Sequence, residues 1–259
     1  MIDGPDRREP RRDTLSALLR KTSAVLLDFD GPVTDLFHGH STAPVARKIK
    51  TVVADIWGPL DPDVQDCEDS HGILQLLRDM YDRPAPAPRD RAALDKAEDI
   101  VTQFEYEMAA SAVPTEGCAD LLDALAGLPQ PPHIAIVSNN AAGPISLFLE
   151  KHHLSRVVEL VVGRDPHELR HMKPDPDSVK RAARQLGALP GSCVLIGDQL
   201  TDLEAAQRAG ARFLGYTRST ERAAAMKRYG AGWVTDSHKP LIEAATALRR
   251  REQRPCGAG

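Results

Sequence analysis

The 259-residue chain is poor in aromatics (4%) and has only four cysteines, Cys67, Cys118, Cys193 and Cys256, none in a CxxC pair. Such scatter argues against a zinc site or a disulfide framework and fits a reducing cytoplasm. Charge of one sign is also lacking. The formal net charge is −4 and no Lys/Arg block is interleaved with aromatics, so no nucleic-acid partner is expected. No apolar run approaches a membrane span. Met1 to Asp13 is charged and proline-bearing with no apolar stretch after it, so no signal peptide is expected. Internal repeats are absent, and Cys193, inside an apolar run, reads as buried packing.

What is present is a rhythm of short apolar runs: Ala24 to Leu27, His133 to Val137, Val157 to Val162, Cys193 to Ile196, Arg212 to Tyr216 and a weaker Trp233 to Thr235. Each has strand length. Between and after them lie helical patterns at Cys118 to Ala126, Ala141 to His153, Asp177 to Leu186, Asp202 to Ala209, Thr220 to Tyr229 and His238 to Arg251. Alternation of this kind predicts an α/β fold with a Rossmann-like parallel sheet flanked by helices. The interval from Asp35 to about Pro114 breaks the rhythm. It holds helical stretches near Ala43 to Ile56, His71 to Tyr81 and Arg89 to Ala112 without a convincing strand, and reads as an inserted helical unit. Within it, Arg83 to Arg89 is too proline-rich to continue a helix and is expected as a stiff connector. The expected organisation is a tail and short helix over 1–20, a core over 21–35 and 115–248, the helical insertion over 36–114, and a frayed tail over 249–259.

The first apolar run leads straight into Asp28 and Asp30. Ligands of an open α/β sheet bind beyond the carboxyl ends of its strands, which is where these acids fall. Two apart on extended chain, they project to one side, where their repulsion resists ionisation and a divalent cation would relieve it. Gly31 lets the backbone turn out of the strand. Three later clusters follow apolar runs similarly. Ser138-Asn139-Asn140 offers a hydroxyl and backbone N–H groups at a helix start that could grip a phosphate. Lys173, before Pro174 and a helix start, could offset anionic charge. Gly197-Asp198 with Asp202 brings two further carboxylates to the same rim. Taken singly, each cluster has a plainer reading: a turn, a helix cap or a solvated charge.

Together and in this order, the four clusters resemble the motifs of the haloacid dehalogenase-like (HAD) hydrolase superfamily. At class level the chain resembles phosphoglycolate-phosphatase-like members with a C1-type helical cap, and the resemblance covers about Ala24 to Asp35 and Gly117 to Asp236. It implies a Mg²⁺-dependent phosphatase acting on a small phosphorylated metabolite through an aspartyl-phosphate. Asp28 would be the nucleophile and Asp30 the general acid and base. Asp28, the backbone carbonyl of Asp30 and Asp198 would hold Mg²⁺, with Asp202 steadying that shell or Lys173. Ser138 and the N–H of Asn139 would hold phosphoryl oxygens while Lys173 stabilises their charge. The inserted helices would be the cap, closing over the site. Pro32 departs from the small residue common after the glycine, so no hydroxyl role is carried to that position. A sugar phosphomutase of the β-phosphoglucomutase kind is the enzymatic alternative, and a regulatory or binding member without turnover the non-enzymatic one.

Other residues are expected to be structural. His38, His40, Arg47 and Lys48 read as the polar face of an amphipathic helix start. His152, His153, His167 and His171 form no metal pair. Tyr81, Phe104 and Tyr106 read as packing within the insertion.

Overall fold

The computed structural model describes residues 12–37 and 39–252. The expected terminal tails before residue 12 and after residue 252, with His38 and Cys256, lie outside the described residues. Helix α1 (Arg12–Leu19) precedes strand β1 (Ala24–Leu27). Helices α2 (Ala43–Trp57), α3 (Pro62–Asp66), α4 (Ser70–Asp82) and α5 (Ala92–Ser111) follow without a strand between them. The chain then alternates through α6 (Cys118–Ala126), β2 (His133–Val137), α7 (Ala142–Lys151), β3 (Leu160–Val162), α8 (Asp177–Gln185), β4 (Cys193–Gly197) and α9 (Leu200–Ala209). It ends with β5 (Arg212–Tyr216), α10 (Thr220–Arg228), β6 (Trp233–Thr235) and α11 (Lys239–Glu252).

The six strands form one parallel sheet in the order β3-β2-β1-β4-β5-β6. Every residue of β1 is buried, as a central parallel strand requires. Its side chains alternate between two cores. Val25 and Leu27 join the cluster beneath α1, α6, α7 and α11, which contains Leu15, Leu121, Phe148 and Leu241. Ala24 and Leu26 join the one beneath α8, α9 and α10, which contains Val179, Leu203 and Met226. The chain order reverses on either side of β1, with β2 on one flank and β4 on the other. Leu27 pairs with both Ile136 and Ile196, so the segments after all three strands emerge side by side at the switch point.

The helices α2 to α5 have an apolar core of their own, with Ile49, Val53, Ile73, Leu77, Met80 and Val101 buried together and Leu169 and Met172 from the α/β part packed into it. Three local expectations are corrected. The third strand runs only over Leu160–Val162, because Val157 and Val158 donate their N–H groups to the Leu154 carbonyl in a turn. Arg89 to Arg91 precede the fourth inserted helix, where the Arg89 guanidinium closes on the carbonyls of Met80 and Arg83. The short helix α3, begun by Pro62, has no counterpart in the sequence reading. Arg83 to Arg89 is non-helical, as its prolines dictate. Cys193 is fully buried in the sheet, and no helix of the described residues is long and apolar enough to cross a membrane.

Candidate active site

Asp28 follows β1, Ser138 follows β2 and Asp198 follows β4, so three strand ends deliver three of the sequence clusters to one rim. Lys173 arrives from the segment before α8. Its ammonium lies 2.8 Å from Asp28 Oδ1 and 2.6 Å from Asp202 Oδ1, and donates to the Val137 carbonyl at 3.2 Å. The lysine is 3% exposed. Burial opposes its charge, but the carboxylates of Asp202 and Asp28 outweigh that and raise its pKa above the ordinary range. The helix expected to begin at Asp202 begins two residues earlier, at Leu200, so Asp202 sits in the first turn of α9, where Oδ2 accepts the Gln199 N–H at 2.9 Å.

Asp28, Asp198 and Asp202 each place a carboxylate oxygen within 4.8 Å of the others. Burial pushes Asp28 up to about 7; Lys173 opposes this, while Asp202 and Asp30 reinforce it. Asp198 is pushed to about 8 by burial and by the charges of Asp28, Asp202 and Asp30, against the pull of Arg222, which donates to its Oδ2 at 3.0 Å. Asp30 is set apart. Its Oδ1 accepts the Leu36 N–H at 2.8 Å, and burial raises its pKa despite that bond and the nearby His71. A carboxyl that retains its proton more readily than usual suits acid–base work.

Gly31, directly after Asp30, adopts φ +96°, and a β-carbon there would lie 2.9 Å from Asp198 Cβ. Only glycine satisfies both demands. The turn is tied at several points: Thr115 Oγ1 donates to the Gly31 carbonyl at 2.8 Å, and His238 Nε2 donates to the Pro32 carbonyl at 2.7 Å. Pro32 therefore fits the turn without a hydroxyl there, and its carbonyl is used as an anchor.

Ser138 is buried, with Oγ donating to Asn140 Oδ1 at 3.0 Å and accepting the Asn140 N–H at 3.2 Å. Asn139 does more than offer a backbone N–H. Its side chain accepts from Lys173 N at 2.7 Å and donates to Lys173 O at 3.1 Å, bracing the lysine segment at two points. These residues line a cavity of about 440 Å³ with Asp28, Asp30, Lys173, Asp198 and Asp202, and the inserted segment contributes Phe37, Thr42, Asp69, His71 and Gln75.

The sequence reading missed the buried assembly behind this cavity. Arg164, two residues after β3, has a fully buried side chain that donates to Glu105 Oε1 at 2.7 Å, Glu98 Oε1 at 2.8 Å and the Asn139 carbonyl at 2.8 Å. Glu105, also fully buried, accepts the Ala141 N–H at 2.9 Å and lies 2.9 Å from His71 Nε2. A signal existed for Glu105, which interrupts the apolar row Ala97, Val101, Ala109 of α5 at helical spacing. Arg164 lies one residue beyond the position that Asp28, Ser138 and Asp198 take after their strands. Nothing in the sequence marked His71.

The residues set aside behave largely as expected. His40, Arg47 and Lys48 are exposed and do not line the cavity. His152 Nε2 donates to the Ala112 carbonyl at 3.0 Å, and His171 Nδ1 lies 3.7 Å from Asp177 Oδ2. Tyr81 and Phe104 pack against the core of the inserted helices, whereas Tyr106 is 39% exposed.

A sequence profile of haloacid dehalogenase-like hydrolases matches residues 22–210. The chain belongs to this family. Within it, the chain is 28% identical over 238 residues to the N-acetylmuramic acid 6-phosphate phosphatase of Pseudomonas aeruginosa, covering 86% of this chain and 94% of that one. It is 30% identical over 109 residues to the phosphoglycolate phosphatase of Colwellia psychrerythraea, covering 42% of this chain and 47% of that relative, so the match spans about half of that enzyme's length. A HAD family hydrolase from Deinococcus radiodurans, solved with bound phosphate and sodium, superimposes with a TM-score of 0.53 at 30% identity over 89% of this chain and 97% of its own. A HAD hydrolase from Entamoeba histolytica shares the fold, with a TM-score of 0.58 at 19% identity over 87% of this chain and 100% of its own.

Proposed function

We propose that this HAD-like hydrolase is a Mg²⁺-dependent phosphatase that hydrolyses a small phosphate monoester through an aspartyl-phosphate. The observation that carries this reading is the Lys173 ammonium held between Asp28 and Asp202 at the rim where Asp198 also lies. Asp28 would attack phosphorus, forming the Asp28 O–P bond as the ester P–O bond breaks. Asp30 would give its proton to the departing alkoxide. Water would then add to phosphorus while Asp30 takes a proton from it, and cleavage of the aspartyl O–P bond would release phosphate and restore Asp28. Lys173, the Ser138 hydroxyl and the Asn139 N–H would hold the phosphoryl oxygens; this positioning and charge stabilisation are what phosphoryl transfer demands of protein.

The donor set fits Mg²⁺. Asp28, Asp30, Asp198 and Asp202 bring four carboxylates, against which Lys173 and Arg222 are the two cations in contact among the described residues. One divalent ion offsets the difference, and oxygen-only donors suit a hard cation. Asp28, Asp198 and the carbonyl of Asp30 would hold it, which agrees with the Asp30 carboxylate being engaged elsewhere by Leu36. When bound, Mg²⁺ supplies charge neutralisation at the phosphoryl oxygens. Chelation with EDTA is expected to abolish phosphate release across a panel of phosphate esters, and added Mg²⁺ to restore it. Activity indifferent to chelation would defeat the metal assignment. Isomerisation of sugar phosphates with little phosphate release would instead favour a phosphomutase.

We assign residues 36–114 as a cap, supported by the separate apolar core of α2 to α5 and by the cavity wall this segment supplies. The Asp202–Lys173 contact would be sensitive to packing beneath it. A β-carbon at Gly197 would lie 2.6 Å from Asp202 Cγ. Gly197→Ala is therefore expected to lower kcat by ~10²-fold, the scale set by misplacing a reacting group by an ångström. Steady-state kinetics alongside circular dichroism would check this, and unchanged kcat in a folded variant would refute it.

A further inference from the structure

The cavity wall built by the inserted segment is notable for its charge. Among the described residues it offers one carboxylate, Asp69, and no lysine or arginine. The described lysines and arginines of the segment lie away from the cavity lining. Arg47 and Lys48 are exposed, Lys50 donates to the Gln65 carbonyl, Arg78 pairs with Asp82, and Arg83 pairs with Asp61 and Asp63. Asp69 is fixed as the N-cap of α4, accepting the Gly72 N–H.

His71 is the remaining ionisable group on this wall. Its Nε2 is held 2.9 Å from Glu105 Oε1, and since an ionised carboxylate only accepts, Nε2 carries the hydrogen and donates. Among the described residues none hydrogen-bonds Nδ1, in a side chain that lines the cavity and is 19% exposed. Protonation of His71 brings no surplus positive charge to this region. Arg164 and a charged His71 would be balanced by Glu98 and Glu105, and with neutral His71 the cluster keeps one excess negative charge.

A leaving group bearing its own carboxylate or phosphate would thus meet a like charge at Asp69 and no fixed cation, beside a phosphoryl group that is already anionic. Like-charge juxtaposition of this kind is a strong discriminator. A hydroxyl both donates and accepts, so it can pair with Nδ1 in either protonation state, and with Thr42 and the Gln75 amide. We infer that the substrate is the phosphate ester of an uncharged, hydroxyl-rich alcohol, a sugar or polyol, and that His71 contacts its hydroxyls and helps set the specificity. This inference rests on the phosphatase reading and narrows it.

The test compares kcat/KM in Mg²⁺ for glucose 6-phosphate and glycerol phosphate with that for 2-phosphoglycolate, 3-phosphoglycerate and pyrophosphate. The best neutral leaving group is expected to exceed the best anionic one by ~10-fold or more. Asp69→Asn keeps an N-cap acceptor for Gly72 and is expected to raise the 2-phosphoglycolate to glucose 6-phosphate ratio by about 5-fold, as removal of one repulsive charge should. His71→Ala is expected to lower kcat/KM for the preferred ester by ~10-fold, mainly through KM. His71→Asn, which restores a polar atom near the Nδ1 position, should recover part of that loss, and His71→Gln should not. Equal or better turnover of the anionic esters, or a ratio unmoved by Asp69→Asn, would overturn the inference while leaving the phosphatase reading intact. Absence of phosphate release from every ester would overturn the phosphatase reading instead. Competition between glucose 6-phosphate and 2-phosphoglycolate for binding to Asp28→Asn would then still decide the preference.

Discussion

Replacing Asp28 with asparagine is expected to lower kcat for phosphate release by ~10³-fold or more while the protein stays folded. Asparagine keeps an oxygen to accept the Phe29 N–H, made at 2.8 Å in the native chain, and removes a charge that burial, Asp202 and Asp30 together oppose more than Lys173 favours, while Asp202 still pairs with Lys173. Stability should therefore hold or rise. An amide, however, cannot serve as the nucleophile that forms an aspartyl-phosphate. Stopped-time phosphate release and equilibrium unfolding on the same preparation separate the two effects. Full-rate turnover by the variant would remove Asp28 from the reaction and with it the proposed mechanism.

Arg164→Ala is expected to have the largest effect on stability, a loss of about 3–5 kcal/mol, because it strands a fully buried carboxylate. Arg164 and Glu105 are both inaccessible to solvent, and their pairing joins α5 to the loop after β2 through the Asn139 carbonyl and the Ala141 N–H. Urea unfolding would measure the loss, and a change under about 1 kcal/mol would place this pair with ordinary surface bridges. The pH dependence follows from Glu105. Burial works against its ionisation, but the His71 hydrogen bond and the Arg164 charge outweigh this and hold its pKa below the usual glutamate value. A carboxyl depressed on folding stabilises fully above its unfolded pKa, about 4.3, and loses that contribution as pH falls through its lower folded value. The stability gap between the native chain and Glu105→Gln should accordingly be widest near neutrality and close in acid. A gap that widens on acidification would contradict the assigned direction.

Asn139 reaches the lysine segment with its side chain and the arginine with its carbonyl, so the cap-side cluster and Lys173 share a single residue. The loop after β2, the segment bearing Lys173 and the buried cluster that includes α5 are connected through it. Both the His71 wall and the Lys173 rim depend on how α5 is seated, since Glu105 holds the first and the loop beside the second.

Local pattern alone determined the sheet, the helical insertion and the motif residues. Short apolar runs and their spacing reflect burial of individual elements, and Asp28, Ser138 and Asp198 are legible because each directly follows such a run and a parallel sheet collects its strand ends. The edges of this legibility are equally physical. The third strand was read too long because Val157 and Val158 pack apolar side chains from a turn as readily as from a strand, and α3 is too short to display a period. Tertiary structure alone decided the Lys173 bridge to two carboxylates, the bracing by the Asn139 side chain, and the Arg164–Glu105–His71 cluster. Those contacts join residues tens of positions apart across separately formed elements. No spacing along the chain encodes them, because they exist only once packing has expelled water and left each buried charge to find its partner.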